Sequence, residues 1–139
     1  MLTNGSKPLA SLDSLREGEG PDENMDLSES QMKVSVVALI LDSKTEEAIR
    51  VLSRWYRVSE PRLGVGVFEG RTKGVAAVYS QRRREILAAK REFLYDPFVM
   101  VHEFYHHLRS TGGRHRGTER QADEFALGFI AEYRRAAGV

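Results

Sequence analysis

The chain has 139 residues, of which 41% are hydrophobic and 29% charged, with a formal net charge of +1 and no cysteine. This length suffices for one compact domain, and the composition is that of a globular protein rather than a disordered or membrane protein. The lack of cysteine excludes disulfides, thiolate metal sites and cysteine nucleophiles, which leaves histidine and carboxylate side chains as the strong metal ligands.

The first part of the chain differs in character from the rest. Residues 1–32 are rich in Gly, Ser, Pro, Asp and Glu and contain no aromatic residue, so they bury too little apolar surface to offset the entropy lost on ordering. We predict a flexible acidic tail at 1–32 and a single, moderately basic domain at 33–139. The longest apolar run, residues 34–41, is too short to span a bilayer, and the first residues show no export signal. We therefore expect a cytoplasmic protein with no membrane partner.

The predicted elements of the domain begin at residues 34–41. This run, VSVVALIL, is β-branched and apolar on both faces, which favours a buried strand over a short buried helix. Residues 44–59 carry apolar side chains at helical spacing and predict an amphipathic helix that ends before Glu60 and Pro61. Two apolar runs, 63–68 and 75–79, are separated by the segment GRTKG, which predicts a hairpin turn. A third run, 85–89, completes a small predicted sheet.

Two further helices are predicted in the second half of the domain. Asp96 offers an N-cap acceptor and Pro97 suits the first helical position, so a helix should start there and run to about Ser110. Thr118 and Gln121 form a capping box, which predicts the start of a final helix. The apolar side chains of that helix recur as one stripe: Ala122, Phe125, Ala126, Phe129, Ile130 and Tyr133. Helices and a small sheet together predict an α+β domain.

The residues His102-Glu103-Phe104-Tyr105-His106 form an HExxH motif on the first of these two helices. Residues four apart are offset by only about 40° around an α-helix, so both imidazoles leave the same face and can bind one ion. Glu103 projects beside them, where it can take a proton from metal-bound water. The motif predicts a zinc site with His102 and His106 as ligands and Glu103 as the catalytic base.

A catalytic zinc site needs a third protein ligand and an open position, and Glu119 is the best candidate for that ligand. Its spacing to Ala122 and Ala126 places it on the apolar stripe, where a carboxylate is costly to bury unless it is paired or metal-bound. In the alternative interpretation Glu119 only favours the helix N-terminus electrostatically. His115, on the intervening loop, and His107, about 100° from His106 around the helix, are less favoured rivals.

Asp123 lies one helical turn after Glu119 and shares its face. A zinc-bound histidine usually donates its other ring N–H to a carboxylate or a carbonyl, so Asp123 is expected to orient His102. The alternative is a solvated carboxylate on the side of a helix. Asp123 is thus predicted to support the site rather than to bind the ion.

HExxH followed by ExxxD, here Glu119-Arg120-Gln121-Ala122-Asp123, resembles the gluzincin metallopeptidases. The longer pattern HEFYHH…ERQADEFA is similar to the ImmA/IrrE-type metallopeptidases, and the small size resembles the minigluzincins. The resemblance covers roughly residues 84–130. It implies a zincin-like α+β domain with an N-terminal helix, a small mixed sheet, an active-site helix and a C-terminal glutamate helix. Larger gluzincins stabilise the oxyanion with a later His or Tyr, whereas this chain has only Tyr133 after Glu119, a residue we expect in the core.

These observations predict zinc-dependent hydrolysis of a peptide bond in a peptide or protein substrate. The strand at 85–89 is expected to bind the substrate backbone by adding it as an extra strand. The less favoured alternative is a zinc-containing regulatory or nucleic-acid-binding module without catalysis, because clustered basic residues can neutralise phosphates. That cluster comprises Arg82, Arg83, Arg84, Lys90 and Arg91, with Arg109, Arg114, Arg116 and Arg120 as further members.

Overall fold

The structure, a computed structural model, describes residues 27–66, 74–110 and 117–139. The chain divides into two units, Met1–Gln31 and Met32–Val139, and the folded domain discussed below is the second. The elements in chain order are α1 (Glu29–Leu41), α2 (Thr45–Tyr56), β1 (Arg62–Val65), β2 (Ala77–Ser80), β3 (Glu85–Ala88), a 3₁₀ helix (Arg91–Tyr95), α3 (Pro97–Arg109) and α4 (Glu119–Ala137). This is a small α+β domain, as predicted. Most of the segment predicted as a tail lies outside the described residues, although α1 begins within it.

Residues 34–41 belong to helix α1, so the strand predicted there is wrong. A capping box precedes the helix: Gln31 N–H donates to Ser28 Oγ at 3.1 Å, and Ser28 N–H donates to Gln31 Oε1 at 2.9 Å. The buried side chains of α1 recur at helical spacing: Met32, Val36, Val37 and Ile40. The β propensity of valine and isoleucine is a weak local preference, and the cap together with burial of one helix face outweighs it.

The three strands form one mixed sheet in the order β1–β3–β2. β1 runs parallel to β3, with Leu63 opposite Ile86, and β2 runs antiparallel to β3, with Tyr79 opposite Ile86. The hairpin predicted between 63–68 and 75–79 is therefore wrong, because these strands flank β3 instead of pairing with each other. The tight turn joins β2 to β3 and contains Arg84 in a left-handed conformation (φ 52°). Residues 70–73 of the predicted turn lie outside the described residues.

The sheet order also contradicts the role predicted for the strand at 85–89. β3 is the central strand, and its backbone groups pair with β1 on one side and β2 on the other. A substrate strand can add only to an edge with unpaired backbone groups. Within the described residues β3 offers no such edge, so it cannot bind substrate in that way.

One hydrophobic core joins the helices to the sheet. The helices predicted at 44–59, 96–110 and from Thr118 onward are all confirmed, and α3 packs against α4 on one side and against β2 and β3 on the other. The largest fully buried side chains come from every layer of the domain: Phe104, Phe129, Met32, Ile40, Ile49, Leu52 and Ile86. Because α3 lies between the sheet and α4, its position is fixed from two sides.

The end of α2 provides a test of the fold. Arg57 closes the helix in a left-handed conformation (φ 60°, ψ 49°), and the next N–H, of Val58, donates to Ser53 O at 2.9 Å. Since glycine adopts this conformation without steric cost, we expect Arg57→Gly to stabilise the domain by about 0.5–1 kcal/mol in urea unfolding. Arg50→Gly, the same change inside α2, should instead destabilise it by about 1 kcal/mol. Destabilisation by both substitutions would contradict the assigned helix end.

Candidate metal centre

Helix α3 presents His102 and His106 on the same face. Asp96 caps the helix by accepting a hydrogen bond from Val99 N–H at 3.2 Å, and Pro97 occupies the first turn. The two imidazole rings lie one turn apart, with centroids separated by 5.0 Å. Their side chains are 12% and 9% exposed, so both rings lie just beneath the surface rather than in bulk water.

Helix α4 brings the Glu119 carboxylate to both histidines. Oε1 lies 2.9 Å from Nε2 of His102, and Oε2 lies 3.0 Å from Nε2 of His106. The capping box of Thr118 and Gln121 fixes where α4 begins, and therefore places Glu119 in the first turn. The structure thus brings together the three residues predicted as metal ligands from the sequence.

Asp123 supports His102 from the other side of its ring. The Nδ1 atom of His102 lies 2.9 Å from Asp123 Oδ1, and a carboxylate can only accept, so Nδ1 carries the hydrogen. A neutral His102 then has only a lone pair at Nε2, which faces a carboxylate oxygen of Glu119. Two such acceptors attract each other only when a positive charge lies between them, either a proton on Nε2, which would then donate to Glu119, or a metal ion in place of that proton. The donor set therefore suits a cation.

The three side chains can hold a metal ion. Their ligand atoms all lie within 4.8 Å of one another. Donors that bind a tetrahedral zinc ion at about 2.0–2.1 Å are roughly 3.3 Å apart, close to the contacts that Glu119 makes with the two histidines. Two imidazole nitrogens and a carboxylate are also a donor set that zinc prefers when one position is left for solvent or substrate.

The environment of Glu119 differs from the one predicted. Its side chain is 79% exposed, whereas its spacing in the sequence predicted a position on the stripe that faces the core. The buried part of that stripe begins at Ala122, one turn later, because Glu119 lies at the very start of α4. Glu119 contacts both histidines, but the cost of burying a carboxylate does not apply to it.

Glu103 lies beside the three ligands and is buried. Its Oε2 is 3.8 Å from Nε2 of His102, and the side chain is 10% exposed. Burial, and secondarily the charge of Glu119, raises the pKa of Glu103 to about 8 in the metal-free domain. A divalent cation on the ligands would act in the opposite direction and favour the charged carboxylate.

His107 takes no part in the site. Its ring is buried on the other side of α3, where Nε2 donates to Ser59 O at 2.7 Å and Nδ1 accepts from the Tyr79 hydroxyl at 2.8 Å. Burial lowers the pKa of His107, which favours this neutral form. His107 is therefore excluded as the third ligand, and His115, the other rival, lies outside the described residues.

Tyr133 is far from the candidate centre. It packs against the hydrophobic core, as predicted. With a rise of about 1.5 Å per residue, it lies roughly 21 Å from Glu119 along the axis of α4. The Tyr133 hydroxyl therefore cannot stabilise an oxyanion at the metal position.

The basic cluster is exposed but partly neutralised. Arg83 pairs with Glu85 at 3.3 Å, and Arg120 pairs with Glu124 at 3.4 Å. Arg84 donates to Ser59 Oγ at 2.9 Å. Arg114 and Arg116 lie outside the described residues. Two arginines of the cluster are therefore paired with carboxylates, whereas Arg82, Lys90, Arg91 and Arg109 are exposed at the surface.

Comparison with protein-family models, curated proteins and solved structures finds no significant match for this chain. Among the described residues, no helix is both long enough and apolar enough to cross a membrane. The geometry of the side chains therefore defines the class of this protein: a small α+β domain with a group of two histidines and a glutamate that could hold a metal ion.

The raised pKa of Glu103 provides a test of the site's electrostatics. Below pH 4.5, the ordinary pKa of a glutamate, Glu103 is protonated in both the folded and the unfolded chain. Above that pH the unfolded chain releases the proton first, because the pKa in the folded domain is about 8. The metal-free domain therefore loses stability as the pH rises, until it passes about 8. The amide of a Glu103→Gln variant does not titrate. With a chelator present to keep the domain metal-free, we expect the stability of this variant relative to the parent to rise between pH 5 and 8, by on the order of 4 kcal/mol at pH 8.

Urea unfolding at several pH values measures this difference. Glu124→Gln, at an exposed position on α4, serves as the control and should change the stability by little at every pH. A stability difference between Glu103→Gln and the parent that does not vary with pH would contradict the raised pKa.

Proposed function

We propose that this domain is a zinc-dependent peptidase in which Glu103 is the general base. The observation that supports the proposal is the convergence of two imidazole nitrogens on one carboxylate, with a second, buried carboxylate beside them. When bound, zinc would lower the pKa of a coordinated water and polarise the carbonyl of the scissile peptide bond. His102, His106 and Glu119 would hold it.

Glu103 would carry the proton transfers of the reaction. It would accept a proton from the attacking water as the oxygen bonds to the carbonyl carbon, and would donate that proton to the leaving nitrogen as the C–N bond breaks. Its side chain is close enough to His102 to reach such a water, at 3.8 Å from Nε2. Its burial limits competing exchange with bulk solvent.

Asp123 would orient His102 during this chemistry. Its hydrogen bond to Nδ1 selects the tautomer whose Nε2 can bind a metal. This arrangement agrees with the support for His102 that the sequence predicts for Asp123. The geometry of Glu119 and Asp123 on one helix thus supports the peptidase proposal without depending on sequence similarity elsewhere in the chain.

The exposure of Glu119 supports a polymeric substrate. Its side chain is 79% exposed, so the ligand group is open to solvent on the side of Glu119. A main chain in extended form can approach a metal ion from that side. We therefore propose a peptide or a flexible protein segment as the substrate.

A zinc-containing regulatory or nucleic-acid-binding module would use the same three ligands. Such a module does not explain Glu103, because a structural zinc site needs no buried carboxylate beside its ligands, and burying a carboxylate lowers the stability of the domain. The partial neutralisation of the arginine cluster by Glu85 and Glu124 also weakens the nucleic-acid alternative. Peptide hydrolysis is the better supported function.

Replacing Glu103 separates catalysis from metal binding. We expect the parent protein to bind one equivalent of Zn²⁺ and to cleave labelled casein or a pool of random peptides, with products identified by mass spectrometry. Glu103→Gln should retain the metal and lose at least about 100-fold in cleavage rate, because the general base is gone. His106→Ala should bind Zn²⁺ far more weakly and lose cleavage, and Glu124→Gln should change neither. Unchanged cleavage by Glu103→Gln would refute the proposed mechanism, and metal binding with no cleavage by the parent would favour the regulatory module.

Removing Asp123 tests the support of His102. We expect Asp123→Ala to weaken Zn²⁺ binding by roughly 10- to 100-fold, since the ring of His102 would lose its preferred tautomer and orientation. Competition with a chromophoric chelator measures the affinity, and Glu124→Ala on the same helix is the matched control. Equal affinities for both variants would show that Asp123 does not position the ligand.

A further inference from the structure

Tyr105 connects the histidine helix to the start of the glutamate helix. It lies on α3 next to His106, and its ring stands edge-on to that imidazole with centroids 5.9 Å apart. The same ring also packs against Phe125 of α4, at a centroid distance of 5.3 Å. Tyr105 therefore touches both a proposed metal ligand and the helix that carries Glu119.

The hydroxyl of Tyr105 binds the N-terminal cap of α4. It donates to Oε1 of Gln121 at 3.3 Å, and the same oxygen accepts from Thr118 N–H at 3.0 Å. The Gln121 N–H in turn donates to Thr118 Oγ1 at 3.1 Å. Glu119 lies between these two capping residues, so a group that fixes the cap also fixes the backbone of the third ligand.

Gly117 lets the tyrosine approach this closely. A Cβ atom at Gly117 would lie 2.6 Å from the hydroxyl oxygen of Tyr105 and 2.8 Å from its Cζ atom, well inside the van der Waals separation. The ring therefore lies directly against the backbone that leads into Thr118. A side chain at residue 117 would displace the end of the ring, which carries the hydroxyl that reaches Gln121.

We propose that Tyr105 is a positioning residue for the metal centre, which acts by holding the start of α4 so that Glu119 lies opposite His102 and His106. This inference rests on the proposed metal-dependent function. The side chain of Glu119 is largely exposed, so packing of its own atoms does little to fix it. Displacements of about 0.5–1 Å suffice to weaken a metal site, and the cap of Thr118 and Gln121 fixes the backbone on both sides of Glu119.

The affinity for Zn²⁺ tests the proposal, measured by chelator competition on the full chain. We expect Tyr105→Phe to bind Zn²⁺ about 5- to 10-fold more weakly, as for the loss of one hydrogen bond. Gly117→Ala should weaken binding by at least about 10-fold, because its Cβ pushes the ring away from Gln121. Two controls should stay within about 2-fold of the parent. Tyr133→Phe removes a hydroxyl far along α4. Gly128→Ala adds a methyl group that, among the described residues outside its own helix backbone, would approach only the Lys33 amine, at 4.0 Å.

Two double-mutant cycles separate positioning from general stability. In a Glu119→Ala background, where the two histidines retain weak binding, Tyr105→Phe should change the affinity by less than about 2-fold, because the ligand that it positions is absent. In a Tyr105→Ala background, Gly117→Ala should likewise have little effect. Thermal unfolding of each metal-free variant shows whether the affinity for Zn²⁺ changes in parallel with the stability of the domain. Gly128→Ala is the control here, because it should change the stability without a contact at the site.

The measured affinities distinguish this inference from the proposed function. If the parent protein binds no Zn²⁺, both the metal centre and the role of Tyr105 are refuted. If the parent binds Zn²⁺ and Tyr105→Phe and Gly117→Ala bind it equally well, the positioning role alone is refuted. If Tyr105→Phe weakens binding by the same factor with and without Glu119, Tyr105 acts on the histidines instead, and the proposal is again wrong. The visible absorption of the Co²⁺-loaded protein, which should change in Gly117→Ala and not in Gly128→Ala, provides an independent readout.

Discussion

The packing of α3 against α4 is the constraint on which the candidate site depends. Neither helix carries the full donor set: α3 supplies His102 and His106, and α4 supplies Glu119 together with Asp123, which supports His102. α3 is held from behind by the sheet and the core, through Met100, Val101 and Phe104. Any change in the angle or spacing between these two helices would separate the carboxylate from the imidazoles.

The parts of the structure that follow from local signals could be predicted from the sequence. Asp96 and Pro97 begin α3, and Thr118 and Gln121 cap α4. The four-residue spacing of the two histidines puts both on one face of α3. These features could be predicted because each depends only on neighbours along the chain. The strand predicted in place of α1 is wrong because a run of valines is compatible with either form. The capping box of Ser28 and Gln31 is the signal that favours the helix over the strand. The end of α1 carries no such signal, because the residue in the left-handed conformation there is Ser43 (φ 64°) instead of the usual glycine.

The features that could not be predicted depend on contacts between distant parts of the chain. The order β1–β3–β2 arises from pairing between Arg62–Val65 and Glu85–Ala88, which no spacing between neighbouring runs reveals. The exposure of Glu119 depends on where the first turn of α4 lies relative to the core. The contact of Tyr105 with Gln121 depends on how closely α3 and α4 approach, which Gly117 permits. Sequence periodicity identifies the face of a helix, but not what stands opposite it.

The carboxylates around His102 affect the stability of the metal-free domain. Glu103, Glu119 and Asp123 surround one imidazole, and Glu103 is held where its charged form is disfavoured. A domain of this size has a net stability of only about 5–15 kcal/mol, so a buried carboxylate takes a sizeable share of it. A cation between these groups would relieve the repulsion among the carboxylates and favour the charged form of Glu103. Metal binding would then be coupled to folding, because relief of this repulsion would add to the affinity of the site for the ion.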